Sequence, residues 1–203
     1  LRKKWRIQED AAIGFTFTFL FAITNKSIAQ SGCKDVLAKN YNSKAIENDG
    51  SCTYKKQKLK AFTSVVLSDS LNETSGLVEW KNHLYTHNDD TDLNLYQLDK
   101  YGTILKKIHL KGIKNKDCED LTHDEDFIYL GDFGNNAKGN RTDLTIYKIA
   151  KDSLFESPKI ETITFTYPNQ TDFSKQNKNS TNFDCEAMIA TDNELLLFTK
   201  QWH

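Results

Sequence analysis

The chain has 203 residues, with 27 basic and 28 acidic side chains and a formal net charge of -1. That balance excludes a global field able to draw the protein to nucleic acid or to an anionic membrane surface. A hydrophobic share of 38%, an aromatic share of 11% and only two prolines exclude a disordered chain and describe a globular one.

The first element in chain order is a targeting segment. "LRKKWR" is a basic n-region, and Ala11 to Ile23 is an apolar run of 13 residues. That run is short for a membrane span of about 20 residues and suits the h-region of a secretory signal. Ser27 and Ala29 stand at the -3 and -1 positions of a cleavage site that makes Gln30 the mature N-terminus. The expectation is a signal peptide over 1–29, a secreted or cell-surface protein and no membrane span in the mature chain. An uncleaved N-terminal anchor is the alternative.

Next comes a cysteine module over 30–54. Cys33 and Cys52 bracket a segment with few large apolar residues, which burial alone would not hold. Exported cysteines are expected to be oxidised, and a bridge closing this loop contributes about 3 kcal/mol in the chain-entropy model. Gly32, Cys33, Asp35, Ala38, Asn40, Tyr41, Asn42, Ala45, Asp49, Gly50, Ser51 and Cys52 resemble a short cysteine module of secreted bacterial proteins. Asp49-Gly50 reads as a turn rather than a calcium loop, because alternating acidic ligands ending in glutamate are absent. The lysine-rich stretch 55–60 reads as a solvated linker.

From Ala61 to His203 the pattern is all-β. Short runs rich in β-branched and aromatic residues ("SGLVEW", "HLYTHN", "NLYQLD", "ILKKIHL", "FIYLGDF", "LTIYKIA", "IETITFTY", "EAMIAT", "ELLLFTK") alternate with Asn, Asp and Gly turns. Segments starting at Glu73, Glu119 and Glu186 each run glutamate, short strand, polar turn, second strand. The first two starts are 46 residues apart, a step that fits a four-stranded propeller blade of roughly 40 to 50 residues, and the second and third are 67 apart because the intervening connections are longer. The fold expected is therefore a partial β-propeller, about three blades of a longer ring, after a small disulfide-stapled module; the chain is read as a fragment. Glutamates at the head of each inner strand would converge near the axis. "DFG" at Asp132 to Gly134 is a chance echo of the kinase motif, since no phosphate-binding glycine loop accompanies it.

Glu73, Ser75, Gly76, Leu77, His87, Asn88, Asp89, Glu119, Asp120, Asp132, Gly134, Asn135, Asn136, Arg141, Asp184 and Glu186 together resemble exported bacterial propellers of the SdiA-regulated and esterase-like phytase type. Cys118 stands where that pattern often has tryptophan. Cys118 and Cys185 each precede a repeat glutamate, so they are expected either to form a second disulfide between inner strands or to remain a reduced, buried pair.

Two functions follow. One is a binding or interaction protein, with an unknown protein, glycan or small molecule as partner, whose Glu73, Asp89, Glu119, Asp120, Asp132 and Glu186 are candidate ligands for calcium, a cation that takes six to eight oxygens. The same acids could instead accept hydrogen bonds from the N–H groups of adjacent inner strands. The alternative function is a calcium-dependent phosphoesterase, implied by the phytase resemblance, with Arg141 as its candidate phosphate-binding residue. Ser75 has no identifiable base, and His83 and His87 read as exposed strand or turn residues.

Overall fold

The computed structural model describes residues 30–58, 60–89 and 91–202. The expected signal peptide over 1–29 lies outside the described residues. The chain divides into two compact units at Ser64/Val65.

The smaller unit contains the cysteine module. Among its described residues the strands are β1 (Ser31–Gly32) and β2 (Glu47–Asn48), which pair in parallel. Cys33 and Cys52 are bridged, with their Cα atoms 4.8 Å apart. The buried apolar set is Cys33, Ala38 and Ala45, too little for a core, so hydrogen bonds and the bridge define the loop. The polar motif residues supply those bonds. Asp35 accepts from Leu37 N at 2.8 Å and from the Tyr54 hydroxyl at 2.6 Å. Asn40 donates to Ser51 O and accepts from Thr53 N, clamping the two ends together. Asp49 accepts from Ser51 N at 2.9 Å, closing a turn on its own backbone.

The larger unit is all-β. A short 3-10 turn at Asp69–Leu71 leads into β3 (Thr74–Trp80), β4 (His83–Asn88), β5 (Asn94–Leu98) and β6 (Ile104–His109). These form a four-stranded antiparallel meander. A second meander follows, of β7 (Cys118–His123), β8 (Phe127–Asp132), β9 (Thr145–Ala150) and β10 (Ile160–Thr164). β11 (Asp184–Ala190) and β12 (Leu195–Lys200) then make a hairpin. The first strands of the three sheets lie side by side, β3 against β7 and β7 against β11.

Side chains alternate across each strand, so a central sheet can bury both faces. β8 shows this: Ile128 and Leu130 join Tyr85, Leu95 and Ile108 of the first sheet, whereas Tyr129 joins Met188, Leu195 and Leu197 of the third. Two apolar layers thus separate three stacked sheets. A smaller layer of Leu71, Tyr96 and Leu98 covers the outer face of the first.

Each first strand carries one extra residue where its pairing with the second strand shifts. The shifts fall between Ser75 and Leu77, between Cys118 and Asp120, and between Cys185 and Ala187. The bulged residues Gly76, Glu119 and Glu186 are therefore structurally equivalent, and such bulges re-aim side chains. Glu73 lies three residues before Gly76, outside the strand, so aligning it with the other two glutamates by sequence used the wrong frame.

Of the two alternatives for Cys118 and Cys185, the structure has the reduced one: no second disulfide is formed, and both are free, buried thiols. Equivalent positions on successive sheets face the same way. Cys118 therefore enters the layer between sheets one and two, and Cys185 the layer between sheets two and three, with the second sheet intervening.

Candidate functional site

Three carboxylates meet at the heads of β7 and β11. Ligand atoms of Glu119, Asp184 and Glu186 all lie within 4.8 Å of one another. Asp184 is fully buried and the two glutamates are half-buried. Asp117 is their neighbour: a Cβ on Gly134 would come within 2.3 Å of Glu119 Oε1 and 2.5 Å of the Asp117 carboxyl carbon, so both carboxylates crowd the space above Gly134. The site is built from one tripeptide used twice, Asp117-Cys118-Glu119 and Asp184-Cys185-Glu186. In each copy the cysteine anchors the strand in an apolar layer, and the bulge turns the glutamate toward its counterpart.

The electrostatics are those of crowded, partly dehydrated acids. Burial, followed by the charges of Asp117, Glu186, Asp184 and Asp89, pushes the Glu119 carboxyl up to about 8. Burial also raises Asp117, with Arg141 opposing and Asp184, Asp89 and Asp132 reinforcing the shift. Glu186 is raised by burial and by its contact with Asp184, against the pull of Lys200. Asp184 is held in place by Asn135 N at 2.7 Å and by the Trp202 indole N–H at 2.8 Å. No hydrogen-bond donor among the described residues reaches the Glu119 carboxylate.

The other expected site residues fall elsewhere. Glu73 is exposed, has a positive φ of 58° and is not in the cluster; its carbonyl accepts from Asp89 N. Asp89 acts on the cluster through its charge. Asp120 turns away from it, accepting from Met188 N at 2.7 Å and from Leu121 N at 2.8 Å. Asp132 caps the backbone of Asp117 at 3.0 Å and pairs with Arg141 at 3.0 Å.

Arg141 is committed within the fold. Its guanidinium donates to Gly134 O and Asp132 O and pairs with Asp132 and Asp143. That leaves little to receive a phosphate. His87 is buried rather than exposed: its Nδ1 bonds Asn88 O at 3.0 Å, its Nε2 has no partner, and burial lowers its pKa to about 4. His83, half-buried, bonds Lys81 O through Nδ1.

Sequence reasoning passed over Asp117, and named Asp184 without giving it a ligand role. The signal was the repeated Asp-Cys-Glu itself, read earlier only for its cysteine and glutamate.

An all-oxygen set of carboxylates suits a hard divalent cation such as calcium and does not suit zinc, which favours nitrogen and sulfur. Glu119, Asp184 and Glu186, with Asp117 behind them, are the residues that would hold it. Comparison of the chain with known protein families, curated proteins and solved structures finds no match.

Proposed function

We propose that this chain is a secreted or cell-surface binding protein built on part of a β-propeller, and that its paired Asp-Cys-Glu tripeptides hold calcium. Two successive four-stranded meanders and a hairpin, stacked with their first strands side by side, support the propeller reading. The Cys33–Cys52 bridge is compatible with an oxidising compartment, and among the described residues no helix is long and apolar enough to cross a membrane.

The observation that carries the calcium assignment is the convergence of Glu119, Asp184 and Glu186 within 4.8 Å in a partly dehydrated setting. Like charges so placed resist ionisation, and a divalent ion relieves both the repulsion and the proton uptake it causes. Calcium would leave part of its coordination for an outside ligand, which gives the site a use in recognition. The phosphoesterase alternative is weaker, because Arg141, the only arginine after Arg6, is engaged by Asp132 and Asp143.

The test is a calcium titration of the purified mature chain by calorimetry, with thermal melting in calcium and in chelator. The expected result is saturable binding and a raised melting temperature, both lost in Glu119→Gln. Absence of heat and of any melting shift at millimolar calcium would rule the assignment out and leave the carboxylates structural.

A further inference from the structure

The carboxylate site has a cation of the chain's own at its edge. Lys200 is the pairing partner of Asp184 at the end of the β11–β12 hairpin. Its ammonium lies 3.6 Å from Glu186 Oε1 and, at the same time, 4.1 Å from the centre of the Trp202 ring. Trp202 is itself tied to the site through its indole N–H on Asp184 Oδ2. The ammonium therefore has two partners, a carboxylate of the site and an aromatic face beside it.

Those partners differ in what a divalent ion does to them. The ion pair with Glu186 is half-exposed and single, so an entering divalent ion can displace it. The indole face attracts an ammonium without needing a carboxylate, and it remains when the carboxylates are taken. A four-carbon stem allows the ammonium to shift while its Cα stays in the ladder. An entering divalent ion would also repel Lys200 from Glu186.

We infer that Lys200 is an internal counter-cation: it occupies the edge of the carboxylate site in the cation-free protein and withdraws onto Trp202 when a divalent ion enters. The inference rests on the calcium reading above. Its consequence is a built-in competitor that weakens calcium binding, so the site fills only at high calcium. The same ammonium protects the empty site from the full repulsion of its acids. Lys200 is thus assigned as the residue that sets the affinity of the site.

The experiment compares the wild-type chain with Lys200→Met and Lys200→Arg by calcium calorimetry, and melts each in chelator. Lys200→Met should bind calcium at least about fivefold more tightly, yet melt at a lower temperature than wild type in chelator. Lys200→Arg should stay close to wild type in both. In wild type, calcium should change tryptophan emission, and Trp202→Phe should remove that change.

Wild-type binding with unchanged or weaker affinity in Lys200→Met would overturn the inference while leaving the calcium site standing. Absence of calcium binding in both wild type and Lys200→Met would overturn the calcium reading and the inference with it.

Discussion

The Asp120 carboxylate on β7 accepts a hydrogen bond from Met188 N on β11 at 2.7 Å, joining two sheets whose strands share no ladder. Thr122 Oγ1 repeats the stitch two residues on by accepting from Ala190 N at 3.0 Å. Ser75 makes the matching link from β3 by donating to Glu119 O at 2.5 Å. The neighbouring first strands of the three sheets thus satisfy one another's backbone through short polar side chains, which holds the two Asp-Cys-Glu tripeptides in register.

Removing the Asp120 acceptor should destabilise the larger unit. Asp120→Ala leaves a buried Met188 N–H unpaired and should cost about 1–3 kcal/mol in urea unfolding. Asp120→Asn keeps a carbonyl acceptor and should cost less. Equal midpoints for wild type and Asp120→Ala would show that the stitch contributes nothing.

The two free thiols should be chemically silent in the folded protein. Both cysteines are buried; burial raises the Cys118 thiol pKa well above its usual range and pushes Cys185 up to about 12. Mass spectrometry under non-reducing conditions should find the Cys33–Cys52 bridge and two unmodified thiols that label only after denaturation. A peptide linking Cys118 to Cys185 would contradict this arrangement.

Cation-free stability should fall as pH rises toward 8. The folded-state pKa of Glu119, about 8, lies above the ordinary glutamate value of 4.5, so the folded chain binds the extra proton. Its contribution is full below about pH 4.5 and is lost as pH climbs through about 8. Unfolding curves in chelator between pH 5 and 9 should therefore slope downward, less steeply in Glu119→Gln; an identical slope in the variant would place the proton elsewhere.

Gly76→Ala should be among the costliest single changes. Gly76 has φ +38°, and an added Cβ would meet Leu121 N at 2.5 Å and His87 Nε2 at 2.9 Å. Backbone strain and the clash together should remove at least about 2 kcal/mol, measured as a shift in the urea midpoint. A variant as stable as wild type would mean that β3 and β7 can separate without loss.

Much of the fold was legible because strand formation is a local property. "FIYLGDF" and "LTIYKIA" announce themselves through β-branched and aromatic residues bounded by turn formers, and they appear as β8 and β9. The cysteine module was equally readable: Asp35, Asn40 and Asp49 bond within a few residues or across one stapled loop. The Glu73 frame failed because a bulge adds a residue to one strand without changing its composition, so sequence spacing could not show that Gly76 matches Glu119. The engagement of Arg141 was not legible for a different reason, since a guanidinium available for a ligand and one paired with Asp132 and Asp143 look alike in sequence.

By itself, the sequence determined an all-β chain, a bridged cysteine module and a recurring acidic tripeptide, because propensity, turn chemistry and short loop closure act over a few residues. Only the tertiary structure decided that the two copies of the tripeptide meet, that Cys118 and Cys185 do not, and that Lys200 rests against Glu186 and Trp202. Those outcomes depend on which face each strand presents after its bulge and on which sheet comes to lie next to it. Such relations join residues as far apart as Glu119 and Glu186, and packing of whole sheets establishes them.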